Sequence, residues 1–253
     1  MPGPKQKLPV IDQFFLVMVR LRLELGELDL SHRFAISLAS VSPIFATWIN
    51  LMYFKFQQLP IWLSRKKVDK LMPPCFKLFY PSTHIVIDCT EFYINTPASL
   101  ARQSASWSAY KNHNMVKFLI GIAPHGHATF VSDVLEGAVS DQSITEQSGL
   151  LSLLQRGDSV MADKGFYIQD MLVSVGVRLN IPPFKVGERQ MLPEDLHKTK
   201  KIAAVCIHVE RKMHRIKLFK ILSGEIDATF FDLLQQTIVG CVMLTNFEPP
   251  LFA

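Results

Sequence analysis

A chain of 253 residues has room for one large domain, or for a large and a small one. Apolar residues make up 49% and charged residues 19%, which excludes wholesale disorder and predicts a well-buried core. The net charge of +5 and pI of about 9.0 permit a polyanionic partner without requiring one.

Cys75, Cys89, Cys206 and Cys241 stand far apart with no CxxC pair, so a structural zinc site is not expected. Such sparse usage suits a reducing compartment, with the thiols acting as small apolar groups. No stretch reaches the uninterrupted apolar length of a membrane span. The apolar run after Met1-Pro2-Gly3-Pro4-Lys5 is broken by Arg20, Arg22 and Glu24, a poor signal peptide. A soluble intracellular protein, nuclear or otherwise and not secreted, is the expectation.

Residues 8–60 read as helical. Phe14, Phe15, Met18, Val19, Leu21 and Leu25 recur at helical spacing. Leu28-Asp29-Leu30-Ser31 begins a second short helix running through Phe34. Ser37 to Ser42 gives a turn and a helix start, continued by Ile44, Phe45, Trp48, Ile49 and Met52. Three short helices with a tight turn before the last make a helix-turn-helix outline; a plain three-helix accessory bundle gives the same pattern. Residues 61–83 are a connector, because Pro73-Pro74 and Pro81 oppose a continued helix. Its Arg65-Lys66-Lys67 triplet is a nuclear-import candidate or simply a solvated helix start or loop.

From His84 the period changes to strands, and a domain over residues 84–251 is expected. His84–Asp88 is the first strand, Met115–Ile122 the second and Ala128–Leu135 the third. Pro124-His125-Gly126-His127 reads as the hairpin turn between the last two. Ile144–Leu154 then reads as a helix, Ser159–Ala162 as a fourth strand and Arg178–Ile181 as a fifth. A long helix follows from Glu194 to about Leu222, with Ile202, Cys206, Val209, Met213 and Ile216 on one face. A last helix spans roughly Phe230–Leu244. This order matches an RNase H-like fold: mixed α/β, a mixed sheet flanked by helices, preceded by a small all-α helix-turn-helix region.

Three acids stand out in that frame. Asp88 ends the run His84-Ile85-Val86-Ile87, and Asp163 ends Ser159-Val160-Met161-Ala162. Glu210 lies within the basic helix, in His208-Val209-Glu210-Arg211. Two-ion phosphodiester cleavage needs oxygen ligands that hold the ions roughly 3.5–4 Å apart. Carboxylates suit hard ions such as Mg²⁺, which accept few protein ligands. Asp88 would bridge both ions, Asp163 would hold one and Glu210 the other.

Each acid alone has a plainer explanation. Asp163 could form a turn or cap a helix, and Glu210 could be a surface ion-pair partner beside Arg211 and His214. Asp88 is harder to dismiss, since an unpaired buried carboxylate is costly. Glu91 and Asp141 compete for the role. Asp141 follows Ser140 before an apolar run, so it reads as a helix cap and as a second-tier acid of the site. Lys198, Lys200, Lys201, Arg211, Lys212, Arg215, Lys217 and Lys220 load the long helix with cations, and Lys111, His113 and Lys164 flank the acids. Lys111, His113, Lys164, Arg211 and Arg215 are the candidate contacts to a DNA backbone; a solvated helix face is the plainer reading, above all for residues 217–220.

These residues resemble a known family. Ile87-Asp88-Cys89-Thr90-Glu91-Phe92, Tyr110-Lys111-Asn112-His113-Asn114, Lys117-Phe118-Leu119-Ile120-Gly121-Ile122, Ser140-Asp141, Ala162-Asp163-Lys164-Gly165-Phe166, Asn180-Ile181-Pro182-Pro183-Phe184 and Ile207-His208-Val209-Glu210-Arg211 look like the DDE superfamily endonuclease domain of Harbinger-type and related transposases. The resemblance runs from about His84 to Leu251. It implies that Asp88, Asp163 and Glu210 are the catalytic triad, that two Mg²⁺ or Mn²⁺ ions are the cofactors, and that DNA is the partner. A homodimer and an accessory DNA-binding partner follow by analogy only. The N-terminal helices are similar to the helix-turn-helix that precedes this domain in such proteins. Three positions depart from the family pattern. Cys206 stands where an arginine is usual, Leu38 where a polar or basic residue is usual, and Pro43 where the helix is already under way. The implied activity is metal-dependent cutting, and possible joining, of DNA strands. The alternatives are a catalytically silent DNA- or partner-binding protein derived from a transposase, and a nuclease of the same fold acting on RNA–DNA hybrids.

Overall fold

The computed structural model describes residues 8–109, 111–163, 165–182, 207–227, 230–249 and 251. Three helices open the chain: α1 (Val10–Leu23), α2 (Glu27–Arg33) and α3 (Leu38–Gln57). Leu16, Val17 and Leu21 of α1 are buried with Val41, Phe45, Ile49 and Met52 of α3, each set on one helical stripe. The chain bends by 99° between α2 and α3, the angle of a helix-turn-helix. α3 begins at Leu38 with Ser37 as its N-cap, inside the stretch that the sequence reads as a turn and helix start. Pro43 lies inside the helix. Its missing N–H costs one bond to the carbonyl of Ala39, and its own carbonyl accepts the Thr47 hydroxyl at 2.7 Å. No single helix among the described residues is long and apolar enough to cross a membrane.

The connector also departs from expectation, because it holds two short helices, α4 (Arg65–Leu71) and α5 (Pro74–Phe79). Pro73 is the N-cap of α5 and Pro74 its first residue, where a missing N–H leaves nothing unpaired. The prolines therefore start a helix here.

Next come β1 (Thr83–Ile94), α6 (Leu100–Ser106), β2 (Trp107–Ser108), β3 (His113–Ile122), β4 (Ala128–Val131) and β5 (Leu135–Glu136). They are followed by α7 (Asp141–Gln147), α8 (Leu150–Leu153), β6 (Ser159–Met161), α9 (Gln169–Ser174) and β7 (Arg178–Asn180). A helix over residues 207–217 (α10), β8 (Glu225–Ile226) and α11 (Phe231–Leu244) complete the order. The expected part of the long helix before residue 207 lies outside the described residues.

β1 is central. It pairs antiparallel with β3 and parallel with β6, and β6 pairs parallel with β7. β4 and β5 add antiparallel to β3. Three antiparallel strands followed by two parallel ones is the RNase H-like arrangement that the element order predicts.

The β3–β4 turn needs Gly126, whose φ is +97°. At Gly121 a Cβ would overlap the Ile85 side chain. The expected third strand is split, because Ser132 leaves the regular ladder and its hydroxyl accepts from the Leu119 N–H at 2.8 Å. The expected helix at Ile144–Leu154 is also split, at Gly149, where φ is +78°.

Each sheet face has its own core. Val86, Phe92, Phe118, Ile120 and Met161 pack with α1, α3, α10 and α11. Ile85, Ile87, Leu119 and Val160 pack with α7, α8 and α9.

Candidate functional site

β1 does not stop at Asp88; it runs on to Ile94. Asp88 is instead the point where β1 leaves its partner β6. The last β1–β6 pair is Val86 with Met161. Asp88 follows Val86 by two residues, and Asp163 follows Met161 by two. Parallel pairing with a side-chain period of two sets both acids at the same end of adjacent strands.

Glu210 approaches from the helix above. Val209, Met213 and Ile216 of α10 are buried, which turns Glu210, Arg211, His214 and Lys217 outward. The Thr90 hydroxyl, on the same face of β1 as Asp88, lies 3.2 Å from the Met213 sulfur and ties α10 to the strand. Asp88, Lys111, Tyr93, Glu210, His214 and Lys217 line one cleft.

The electrostatics reflect this crowding. Burial, together with the charges of Asp163, Asp141 and Glu210, pushes the Asp88 carboxyl up to about 7, against a backbone hydrogen bond from Cys89 that lowers it. The donor chemistry fits a hard divalent ion, since all three acids are carboxylates and one resists ionising beside the others. Their spacing is looser: among the described residues no three acids, histidines or cysteines form a group able to hold a metal ion.

Asp141 belongs to the other face of the sheet. Ser140 is the N-cap of α7, its hydroxyl accepting from the Ser143 N–H at 3.1 Å, and Asp141 is the first helical residue. Lys117 meets the Asp141 carboxylate at 2.9 Å, Glu91 at 3.4 Å and the Val139 carbonyl at 3.2 Å. Burial pulls the Lys117 pKa down, but Asp141 and Glu91 outweigh it and the net shift is upward. The Cys89 thiol is pushed up by burial first and by Asp141 next. Register explains the division. Glu91 faces Lys117 and Cys89 faces Leu119, whereas Asp88 faces Ile120 in the other core. Asp141 acts on Asp88 through its charge, from beneath the sheet.

The expected basic contacts are placed unevenly. Lys111 lines the cleft and Arg211 is exposed beside Glu210. His113 is engaged elsewhere, 2.6 Å from Glu225 and edge-on to Tyr93. Arg215 is held by Glu248 at 3.4 Å and donates to the Pro249 carbonyl at 2.5 Å. Lys212, one of the cations the sequence places on the long helix, is only 1% exposed and donates to the Asn246 side chain at 2.7 Å. Lys164, Lys198, Lys200, Lys201 and Cys206 lie outside the described residues. Lys117 escaped the sequence reading, although a lysine inside the apolar run Val116–Ile122 was the visible sign of a buried ion pair.

A family model described as "DDE superfamily endonuclease" matches residues 87–246. A second, "Helix-turn-helix of DDE superfamily endonuclease", matches residues 6–58. No curated protein matches the chain. Among solved structures, a Mos1 transposase paired-end complex with the left transposon end aligns over 98% of this chain and 81% of that one, at 10% identity and a TM-score of 0.27.

Proposed function

Because the chain belongs to the DDE superfamily endonuclease family, we propose that it is a metal-dependent DNA endonuclease of transposase type, with Asp88, Asp163 and Glu210 as its acids. The observation that carries the reading is the meeting of Asp88 and Glu210 in one cleft, where the Asp88 carboxyl is pushed up to about 7 by burial first and by the charges of Asp163, Asp141 and Glu210 next. Acids held where ionisation is costly cluster at functional sites. Asp88, Asp163 and Glu210 would hold Mg²⁺ or Mn²⁺, which when bound would activate the attacking water and stabilise the leaving oxygen of a phosphodiester. The chain's own contribution is positional. β1 and the end of β6 would present two acids at the same end of adjacent strands, and α10 the third, with Arg211 and His214 beside it. Lys111 and Arg211 would meet the phosphate backbone.

The test is calorimetric titration of Mn²⁺ into the wild type and Asp88→Asn, each with and without a short duplex. The expected result is binding by the wild type that the substitution abolishes, together with loss of metal-dependent cleavage. Unchanged cleavage by Asp88→Asn would sink the proposal. A second reading, a DNA-binding protein that no longer cuts, is favoured by the spacing of the acids, which leaves no metal-ready group among the described residues. It predicts duplex binding without cleavage, and binding that survives removal of all three carboxylates.

A further inference from the structure

We propose that the DNA-contacting surface of the N-terminal region is the outward face of α4, built on Lys66, Lys67 and Lys70, and not the outward face of α3. The proposal rests on the reading of the chain as a DNA-processing protein. In a helix-turn-helix the last helix faces the duplex, and phosphate contacts come from cations and donors around it. Here α3 turns Leu38, Ala39, Ser42, Pro43, Thr47 and Leu51 outward. Lys55, in its last turn, is the one cation on that helix. The cations of the preceding helices are engaged: Arg20 meets Glu27 at 3.0 Å and lies over Phe45, Arg22 lies over Phe219, and Arg33 meets Asp29 at 2.8 Å.

α4 is built the other way. Lys66 and Lys70 are four residues apart and Lys67 and Lys70 three, so the three ammonium groups share one face of the helix. All three are exposed, and among the described residues none has a carboxylate partner. The one acid on α4, Asp69, is taken by Arg65. Arg65 also donates to the carbonyls of Pro81 at 3.0 Å, Ser82 at 3.0 Å and Thr83 at 3.1 Å, and lies 3.5 Å from Asp158. Those bonds fix α4 to the start of β1 and β6, so the lysines stand on a rigid support. Arg156 and Arg178 are also exposed and near Asp158 in the fold: Arg156 lies two residues before it, and the Arg178 backbone N–H donates to its carbonyl at 3.1 Å. Asp88 lies five positions along β1 from Thr83, about 17 Å at ~3.3 Å per residue. That is about half of the ~34 Å turn of a B-form duplex, within the reach of one bound DNA.

The test uses the full chain and a fluorescein-labelled duplex of arbitrary sequence, without divalent ions, with anisotropy read over a series of salt concentrations. Each phosphate contact contributes about −0.9 to the slope of log K against log salt. Replacing Lys66→Gln, Lys67→Gln and Lys70→Gln together should make the slope shallower by about 2–3. Replacing the same three by arginine should preserve it, and Lys55→Gln should leave it unchanged. A glutamine variant with the wild-type slope, in a protein that still binds duplex, overturns this proposal alone. Wild-type protein that binds no duplex overturns it together with the endonuclease reading, and binding to anionic lipid vesicles in place of duplex does the same.

Discussion

Asp88 is a carboxyl group held where ionisation is costly, and that cost can be measured apart from any reaction. Its carboxyl is raised from 3.8 to about 7, through burial first and neighbouring acids next. Between those values the folded chain binds more protons than the unfolded chain, so this group's contribution to stability falls as pH rises from about 4 to 7. Above pH 7 the native state carries the full penalty. Asp88→Asn removes it and should stabilise the ion-free protein by roughly 1–3 kcal/mol at pH 8, after discounting for partial exposure. At pH 4 the gain should be close to nothing. Urea midpoints for the two proteins at both values, with a chelator present, make the comparison. A gain of equal size at both pH values would deny that burial and the neighbouring acids hold this carboxyl above its ordinary value. The same residue explains why the acid pair was legible in the sequence. Two apolar runs each end in an aspartate, and parallel pairing brings equivalent positions together. Its continuation was not legible, because an acid inside a strand looks like the end of one. Thr90, Phe92 and Ile94 nonetheless alternate inward behind it.

At the scale of elements, the β3–β4 hairpin and α10 share one polar seam. Asn246 accepts from the Ala128 N–H at 2.9 Å, donates to the Ala128 carbonyl at 2.9 Å and accepts from Lys212 at 2.7 Å. His125 stacks on His127 in the adjoining turn, with ring centroids 4.7 Å apart, and its buried Nδ1 has no hydrogen-bond partner among the described residues. Burial, then His127 and Lys212, lower the His125 pKa from 6.5 to about 4. The folded chain thus binds fewer protons than the unfolded one in that window. The associated stability is fully present above pH 6.5 and is lost as pH falls towards 4. His125→Gln should flatten this part of the stability–pH curve by roughly 1–2 kcal/mol. An unaltered slope would place the loss elsewhere. Lys212 itself shows what a charge count misses. It stands three residues after Val209 and four before Ile216, on the buried stripe of its helix, so its position in the period told against solvent exposure. The short helix α5 was hidden by the opposite error, since prolines that end a helix also begin one.

Across the whole molecule, the helical region and the sheet share a single hydrophobic core. Leu16 and Leu21 of α1 and Phe45 and Ile49 of α3 belong to the same cluster as Val86, Phe118, Met213, Ile238 and Val242. Phe45 is 1% exposed, lies under the Arg20 guanidinium and faces Phe230 at 5.9 Å between ring centroids. Its burial thus couples α3 to the segment leading into α11. Domains joined only by a tether unfold separately, whereas domains that share a core lose it together. A single cooperative transition is therefore expected for the full chain in urea, coincident by near-ultraviolet circular dichroism and by far-ultraviolet signal. Phe45→Ala removes a ring from the middle of that core and should cost about 3–5 kcal/mol. Because the core is shared, the entire transition should move to lower denaturant without splitting. Two separated transitions in Phe45→Ala, with the second at the wild-type midpoint, would show that the sheet keeps its own stability and that the helices only rest on it. The distinction bears on how DNA would be held. On the proposed reading, a helical region locked to the sheet, with α4 tied to β1 through Arg65, would keep the α4 lysines at a fixed distance from Asp88, and a duplex bound by one would be presented to the other in a single geometry.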